Sequence, residues 1–270
     1  MSARPPEDRR PAASPPLGQA RRAGLADLLT IANGICGFAA IALLVAMPSG
    51  SVGWGSSMVD GQLGLVVALV ACGLTVDALD GVVARWRGAS GLGGHLDLMS
   101  DVITFGVVPA LLLMQGPAGD GAVASVVAPV VGGLYLTAVL VRLAAFASAE
   151  DHGQSFTGLP TPPAAVLVIT LLALAPGPAL ALIGMAAIAL MMVSSYRRPH
   201  PGAVGMVVMS TLACACTAAA FADWISLGLA GMLAAACVFL VGPLEAAALR
   251  LLAIAAGLQA AVLRRPWGEA

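Results

Sequence analysis

The sequence carries little charge: only 10% of its 270 residues are Asp, Glu, Lys or Arg, whereas 59% are hydrophobic. Water-soluble globular proteins are about one quarter charged, so this composition and a mean hydropathy of +0.94 exclude an ordinary soluble globule. Lipid is therefore the solvent for most of the chain. The formal net charge of -1 gives no support for nucleic-acid binding.

Lysine is absent, so the 13 arginines alone can report how the chain is oriented in a membrane. Cysteine is scarce as well, and the five cysteines lie inside apolar segments rather than in loops. No histidine or second cysteine pair stands at the spacing of a zinc site. The cysteines are therefore interpreted as small packing residues.

Apolar stretches of about 20 residues, the length that crosses a hydrocarbon core, recur along the chain. They predict an all-α, polytopic membrane helical bundle with about eight transmembrane helices. The predicted spans are residues 26–47, 62–86, 94–114, 122–148, 163–175, 178–195, 203–221 and 225–245. The connection 176–178 is so tight that fusion of the fifth and sixth spans into one bent element is an alternative.

Every arginine falls on one side of the membrane if the N-terminus is cytoplasmic and the spans alternate. The connections on the other side contain none; they lie near residues 48–61, 115–121, 176–178 and 222–224. Cytoplasmic loops collect positive charge, so we predict a multi-pass protein of the cell membrane with both termini cytoplasmic. Residues 1–24, rich in Pro, Ala and Arg, are expected to form a flexible cytoplasmic arm, and residues 251–270 a cytoplasmic tail.

Four aspartates cluster where the second span ends and the third begins. Asp77 and Asp80 are three residues apart, and Asp97 and Asp101 are four apart, so each pair projects from one face of a helix. Bare carboxylates near a bilayer are costly, and the two nearby arginines cannot offset four of them. We predict that hard divalent cations do so, at the cytoplasmic face. The alternative is a set of salt bridges or a water-filled vestibule.

Several neighbouring residues are candidates for binding a ligand. Gly81 and Ala84 would let it approach the backbone closely, and Arg85 could neutralise a phosphate there. Asn33 in the first span could reach a nucleotide or form an interhelical hydrogen bond. Arg142 in the fourth span either binds the acceptor or a lipid phosphate, or marks the cytoplasmic boundary.

Residues 77–101 read D-A-L-D-G-V-V-A-R-W-R-G-A-S-G-L-G-G-H-L-D-L-M-S-D. This run resembles the signature of the CDP-alcohol phosphatidyltransferases, Asp-x2-Asp-Gly-x2-Ala-Arg followed by Gly-x3-Asp-x3-Asp. The fixed positions are filled by Asp77, Asp80, Gly81, Ala84, Arg85, Gly93, Asp97 and Asp101. Seven residues separate Arg85 from Gly93, where the family usually has eight. The resemblance implies that Gly81, Ala84, Arg85 and Gly93 contact a CDP-activated lipid.

Further segments resemble the bacterial and archaeal CDP-diacylglycerol–serine O-phosphatidyltransferases of this family. They are residues 28–38, 105–110, 156–162, 192–199 and 241–243. The chain departs from the family at Asp27, where asparagine is frequent, and after Arg142, where Ala145 and Ala147 replace an arginine and an asparagine. These departures concern positions that could hold the acceptor.

The resemblance implies phospholipid synthesis: transfer of a phosphatidyl group from CDP-diacylglycerol to the hydroxyl of L-serine, with release of CMP. It further implies two divalent cations, Mg²⁺ or Mn²⁺, held by Asp77, Asp80, Asp97 and Asp101, with Asp101 also the general base. Relatives of this fold are usually homodimers, so a homodimer is expected. Residues 25–200 would form the catalytic core and residues 201–250 two additional transmembrane helices.

Three alternatives remain open from the sequence. The acceptor could be another small alcohol, such as inositol phosphate or glycerol phosphate. The chain could be an inactive relative, which the shortened turn favours. It could also be a cation transporter, although transporters place acids near the bilayer midplane on several separated spans rather than at one face.

Overall fold

A computed structural model describes residues 24–48, 62–87, 92–116, 126–148, 155–174, 177–194 and 197–199. The helices are α1 Leu25–Ala46, α2 Gln62–Arg87, α3 Gly93–Asp101, α4 Val108–Met114, α5 Ala128–Ser148, α6 Thr161–Leu174 and α7 Pro178–Met192. A π-helix, Val102–Val107, joins α3 to α4 without a break. Strands β1 Ser155–Thr157 and β2 Arg197–Pro199 complete the described elements.

The described helices follow the apolar runs of the sequence. Those long and apolar enough to cross a membrane are Leu25–Ala46, Leu63–Ala84, Gly93–Met114 and Ala128–Ser148. Two shorter apolar helices, α6 and α7, follow. The first six predicted spans are thus confirmed as helices, within a few residues at most ends. The predicted spans 203–221 and 225–245, and so the count of about eight, lie outside the described residues, as do residues 251–270 and all but the last residue of the predicted arm.

The third span, Gly93–Met114, lies at the centre of the bundle. It is 56% buried, against 28% for α1 and α5, because α1 and α2 pack on one side of it and α5 on another. Its side chains Phe105, Leu112 and Leu113 are almost fully buried. The sequence indicated this span by its length and its acidic residues. Its contacts with α1, α5 and α6 were not predicted.

The π-helix in this span has a local cause in the sequence. Pro109 has no N–H, so the carbonyl of Phe105 loses the donor that an α-helix would supply. The Val108 N–H instead donates to the carbonyl of Ile103, five residues back. The hydroxyl of the fully buried Tyr135, on α5, donates to the Phe105 carbonyl at 2.8 Å. An interhelical hydrogen bond thus replaces the missing intrahelical one.

Helices α6 and α7 form a hairpin rather than one bent element. A Cβ added at Gly184 on α7 would meet the side chain of Leu171 on α6, with its Cδ1 at 3.0 Å. Residues 13 positions apart would lie about 20 Å apart in a continuous helix, so this contact requires the chain to reverse between them. The fusion alternative is therefore wrong.

The two short strands were not predicted, and they depart from a purely helical fold. Strands β1 and β2 pair antiparallel, with Phe156 opposite Arg198. Gly158 follows β1 with φ +71°, a conformation that favours glycine, and a Cβ there would collide with the carbonyl of Met192. The Leu159 N–H donates to the Met191 carbonyl at 3.1 Å, so this loop is tied across the end of α7.

Glycines bring α1 and α2 close to the central span. A Cβ at Gly37 would lie 2.9 Å from Cα of Thr104, and one at Gly73 would lie 2.8 Å from both Asn33 Oδ1 and Thr104 Cγ2. Small residues allow such backbone approach between membrane helices. At this distance side-chain hydroxyls on one helix can reach backbone carbonyls on another.

We expect Gly37→Ala to destabilise the protein by about 1–3 kcal/mol, the usual cost of overpacking a filled interface. The matched control is Gly133→Ala on α5, where an added Cβ meets no described atom within 4 Å. The measurement is the temperature at which the detergent-solubilised protein loses its monodisperse elution peak. Equal midpoints for the two variants would contradict the close packing of α1 on the central span.

Candidate metal centre

Three carboxylates converge near the facing ends of two helices. Asp77 lies on α2, and Asp97 and Asp101 lie one turn apart on α3. One oxygen from each lies within 4.8 Å of the other two. The spacing of the two acids on α3 places both on one face, and that face is turned toward α2. The predicted convergence thus holds for these three aspartates.

The three carboxylate residues are withdrawn from solvent to different degrees. Asp101 is 7% exposed, whereas Asp77 and Asp97 are half-buried. Buried Oδ1 of Asp97 has no hydrogen-bond partner among the described residues. Like charges this close repel unless shared protons or a cation offset them.

The donor set fits a hard divalent cation. Carboxylate oxygens are the ligands that Mg²⁺ and Mn²⁺ prefer. With ligand distances of about 2.0–2.6 Å, small side-chain rotations would let the three oxygens bind one ion. The orphaned oxygen of Asp97 would then gain a partner. The structure therefore supports a cluster of three aspartates able to hold a metal ion.

Asp80 stands beside this triplet rather than in it. It is 7% exposed, and its Oδ2 accepts a hydrogen bond from Thr30 Oγ1 of α1 at 2.7 Å. It is close enough to Asp97 to feel the charge of that carboxylate. Of the four predicted ligands, Asp77, Asp97 and Asp101 thus lie together and Asp80 lies next to them. Thr30, which bonds to Asp80, was not among the residues predicted from the sequence.

Two roles were expected for Asn33, a nucleotide contact or an interhelical hydrogen bond, and the structure shows the interhelical contact. It is fully buried, and its Nδ2 lies 3.4 Å from Asp101 Oδ1. Its backbone carbonyl accepts a hydrogen bond from Thr104 Oγ1 at 2.9 Å. A contact between Asn33 and a nucleotide stays a prediction.

Arg142 faces the carboxylates from α5. Three further residues of the same face pack on the central span: Gly132 against Ala110, Tyr135 against Phe105, and Val139 against Gly106. Arg142 continues this row toward Asp101, close enough for electrostatic attraction. Its buried Nε has no hydrogen-bond partner in the described part of the chain. The arginine thus brings a positive charge to the edge of the cluster.

The remaining predicted residues line the same helices. Gly81 and Ala84 are partly buried on α2, and Gly93 is the first residue of α3. The backbone of Arg85 belongs to α2, but its side chain lies outside the described part of the structure. Asp27 accepts a hydrogen bond from the Gly24 N–H at 2.7 Å, so it caps the first turn of α1.

Three hydroxyl residues around the cluster were missed by sequence reasoning: Thr30, Ser100 and Thr104. Ser100 Oγ donates a hydrogen bond to the Thr30 carbonyl at 2.9 Å, and Thr104 Oγ1 donates in the same way to the Asn33 carbonyl. A signal was present, because Thr30, Asn33 and Gly37 follow the i, i+3, i+7 spacing of one helix face. Each is polar or small within an otherwise apolar run.

Residues 23–241 match the sequence profile of the CDP-alcohol phosphatidyltransferase family. The chain therefore belongs to this family of membrane proteins, and the aspartate cluster lies within the matched residues. The family resemblance noted in the sequence is confirmed.

Three relatives illustrate the similarity. The archaetidylserine synthase of Methanothermobacter thermautotrophicus is 35% identical over 139 residues, covering 50% of this chain and 58% of that protein. The CDP-diacylglycerol–serine O-phosphatidyltransferase of Mycobacterium bovis is 38% identical over 116 residues, covering 40% of this chain and 39% of that protein. The enzyme of the same name from Bacillus subtilis is 29% identical over 178 residues, covering 64% and 88%. The chain thus matches less than two thirds of the length of the first two.

We expect Asp77→Asn to abolish stabilisation by Mn²⁺, because Asp77 is the one member of the triplet that α2 supplies and its oxygen lies within 4.8 Å of the other two. For the unchanged protein, Mn²⁺ at about 100 times its dissociation constant should add about 2.7 kcal/mol of stability. The measurement is the thermal unfolding midpoint in detergent with and without Mn²⁺. Asp60→Asn, in a predicted external loop, is the control. Mn²⁺ stabilisation of Asp77→Asn equal to that of the control would remove Asp77 from the metal site.

Proposed function

We propose that this protein transfers the phosphatidyl group of CDP-diacylglycerol to the hydroxyl of L-serine, forming phosphatidylserine and releasing CMP. The observation that carries the proposal is the convergence of Asp77, Asp97 and Asp101 within 4.8 Å, inside the signature segment of the family. The choice of serine is supported by relatives named as serine phosphatidyltransferases and as an archaetidylserine synthase.

Two divalent cations, Mg²⁺ or Mn²⁺, are proposed as cofactors. Asp77, Asp97 and Asp101 would supply three carboxylate oxygens to one, and Asp80, beside Asp97, would complete the ligands of a second. When bound, the cations would neutralise the pyrophosphate and stabilise the charge that develops on the attacking and leaving oxygens. Gly81, Ala84, Arg85 and Gly93 are proposed to contact the CDP group.

Asp101 is proposed to accept the proton of the serine hydroxyl. The hydroxyl oxygen then forms a bond to the phosphorus that carries diacylglycerol, while the bond from this phosphorus to the CMP oxygen breaks. Asn33, whose Nδ2 lies 3.4 Å from Asp101 Oδ1, would help to hold the Asp101 carboxylate in place. Arg142, whose Nε has no hydrogen-bond partner among the described residues, would attract an anionic group of the acceptor or of the lipid.

We further propose that the site opens to the cytoplasm of a multi-pass protein with both termini inside, and that the protein is a homodimer. The one-sided distribution of arginines supports the orientation, since Arg85 and Arg87 lie at the end of α2, on the same helix as Asp77 and Asp80. The dimer is supported by the family resemblance. Side-specific labelling of introduced cysteines would test the orientation, and light scattering of the purified protein would test the dimer.

The direct test is CMP release by the purified chain from CDP-diacylglycerol with a panel of alcohols. We expect release that needs both L-serine and Mn²⁺ or Mg²⁺, with phosphatidylserine as the lipid product, and none after chelation by EDTA. Faster CMP release with glycerol phosphate or inositol phosphate would show that this alcohol, and not L-serine, is the acceptor. Absence of CMP with every alcohol would refute the transferase and leave the cation transporter to be tested in vesicles.

We expect Asp101→Asn to lower turnover by roughly 10²–10⁴-fold, the usual contribution of a general base. CDP-lipid binding, measured in parallel at saturating Mn²⁺, should remain largely intact. Turnover is measured at the same saturating Mn²⁺, so that weaker metal binding does not limit it. Unchanged turnover in this variant would remove Asp101 from the mechanism.

A further inference from the structure

We propose that Thr30 is a positioning residue of the metal centre, which fixes the carboxylate of Asp80 and ties it to the helix that carries Asp97 and Asp101. The inference rests on the proposed function only in that these carboxylates hold metal. Thr30 is 3% exposed and lies on α1, a helix that contributes no member of the carboxylate triplet.

The hydroxyl of Thr30 is directed at Asp80. Its Oγ1 lies 2.7 Å from Asp80 Oδ2 and 3.1 Å from the Ala26 carbonyl. A hydroxyl has one proton to donate, and a charged acceptor at the shorter distance forms the stronger bond. The proton therefore goes to Asp80. The carbonyl of Ala26, one turn back on the same helix, is the weaker alternative acceptor.

The backbone of Thr30 is bound to the other metal-bearing helix. Its carbonyl accepts a hydrogen bond from Ser100 Oγ at 2.9 Å, and Ser100 stands directly before Asp101 on α3. Gly34 permits this contact, because a Cβ there would lie 3.1 Å from the same Oγ. One residue thus joins the Asp80 carboxylate on α2 to the segment of α3 that carries Asp97 and Asp101.

This bond would matter for a cation because a carboxylate is planar. Each of its oxygens has two lone pairs, so a hydrogen bond at Oδ2 fixes the plane of the group and leaves acceptor capacity for metal. Outer hydrogen bonds of this kind typically change metal affinity or activity by about 10–100-fold. Loss of the hydroxyl would leave the Asp80 carboxylate without this donor and free to rotate about its side-chain bonds.

The test compares Thr30→Val, which keeps the shape of the side chain without the hydroxyl, with Thr30→Ser, which keeps the hydroxyl. Thr170→Val is the matched control, since Thr170 is equally buried on α6 and its hydroxyl donates within its own helix, to the Val166 carbonyl at 2.8 Å. Thr30→Ala serves as the second hydroxyl-free variant if Thr30→Val does not purify. Mn²⁺ binding to the full chain in detergent is measured from the electron paramagnetic resonance signal of free Mn²⁺.

We expect the Mn²⁺ dissociation constant to rise about tenfold or more in Thr30→Val, and to change less than about threefold in Thr30→Ser and Thr170→Val. In an Asp80→Asn background, Thr30→Val should have little further effect, because the two residues act through one bond. The Mn²⁺ concentration for half-maximal CMP release should shift in parallel.

Tight Mn²⁺ binding by Thr30→Val, with only its unfolding temperature lowered, would overturn the proposal, since a merely structural role would act in that way. Equal losses in Thr30→Ser and Thr30→Val, or no Mn²⁺ binding by the unchanged protein, would also overturn it. Failure of the proposed function has a different signature: Mn²⁺ binding that depends on Thr30 but no CMP release from CDP-diacylglycerol.

Discussion

The repulsion between buried carboxylates is the constraint on which the rest of this structure depends. Asp77, Asp97 and Asp101 lie within 4.8 Å of one another in a protein that is 10% charged. Such a group persists only if shared protons or a cation offset its charge and if the surrounding helices hold it together against its own repulsion. A bound cation satisfies the first requirement. The second explains why the helices approach so closely here.

Helix α1 meets the second requirement although it adds no acid to the triplet. Its hydroxyl and amide groups reach Asp80 and Asp101, and its carbonyls accept hydrogen bonds from Ser100 and Thr104 of the central span. Glycines on α1 and α2 remove the side-chain bulk that would keep these groups apart. The hydrogen bonds between these helices and their close packing thus depend on each other, because the side-chain hydroxyls reach the backbone carbonyls only where glycines let the helices approach.

Much of this could be predicted from the sequence. Apolar length located the described spans, and the aspartate spacing located the site, because a helix places residues three or four apart on one face. The separation of Asp80 from the triplet could not be predicted, since it depends on a single rotamer choice and on Thr30, fifty residues away. The pairing of β1 with β2 was missed for a similar reason: segments of three residues carry no usable periodicity. The π-helix required knowing that Tyr135 could replace the donor missing at Pro109.

That π-helix has a consequence for how the central span tolerates change. Its wider turn accommodates one more residue than an α-helical turn, so α4 is rotated relative to α3 by about 100°, the angle of one residue. Two faces of this span meet two neighbours: Ser100 and Thr104 meet α1, whereas Gly106 and Ala110 meet α5, and the extra residue of the π-helix sets the angle between these faces. Deletion of one residue between 102 and 107 would shorten the span very little, yet it would put these faces out of phase. We therefore expect this protein to tolerate insertions and deletions in the connections between spans but not in the middle of the central span.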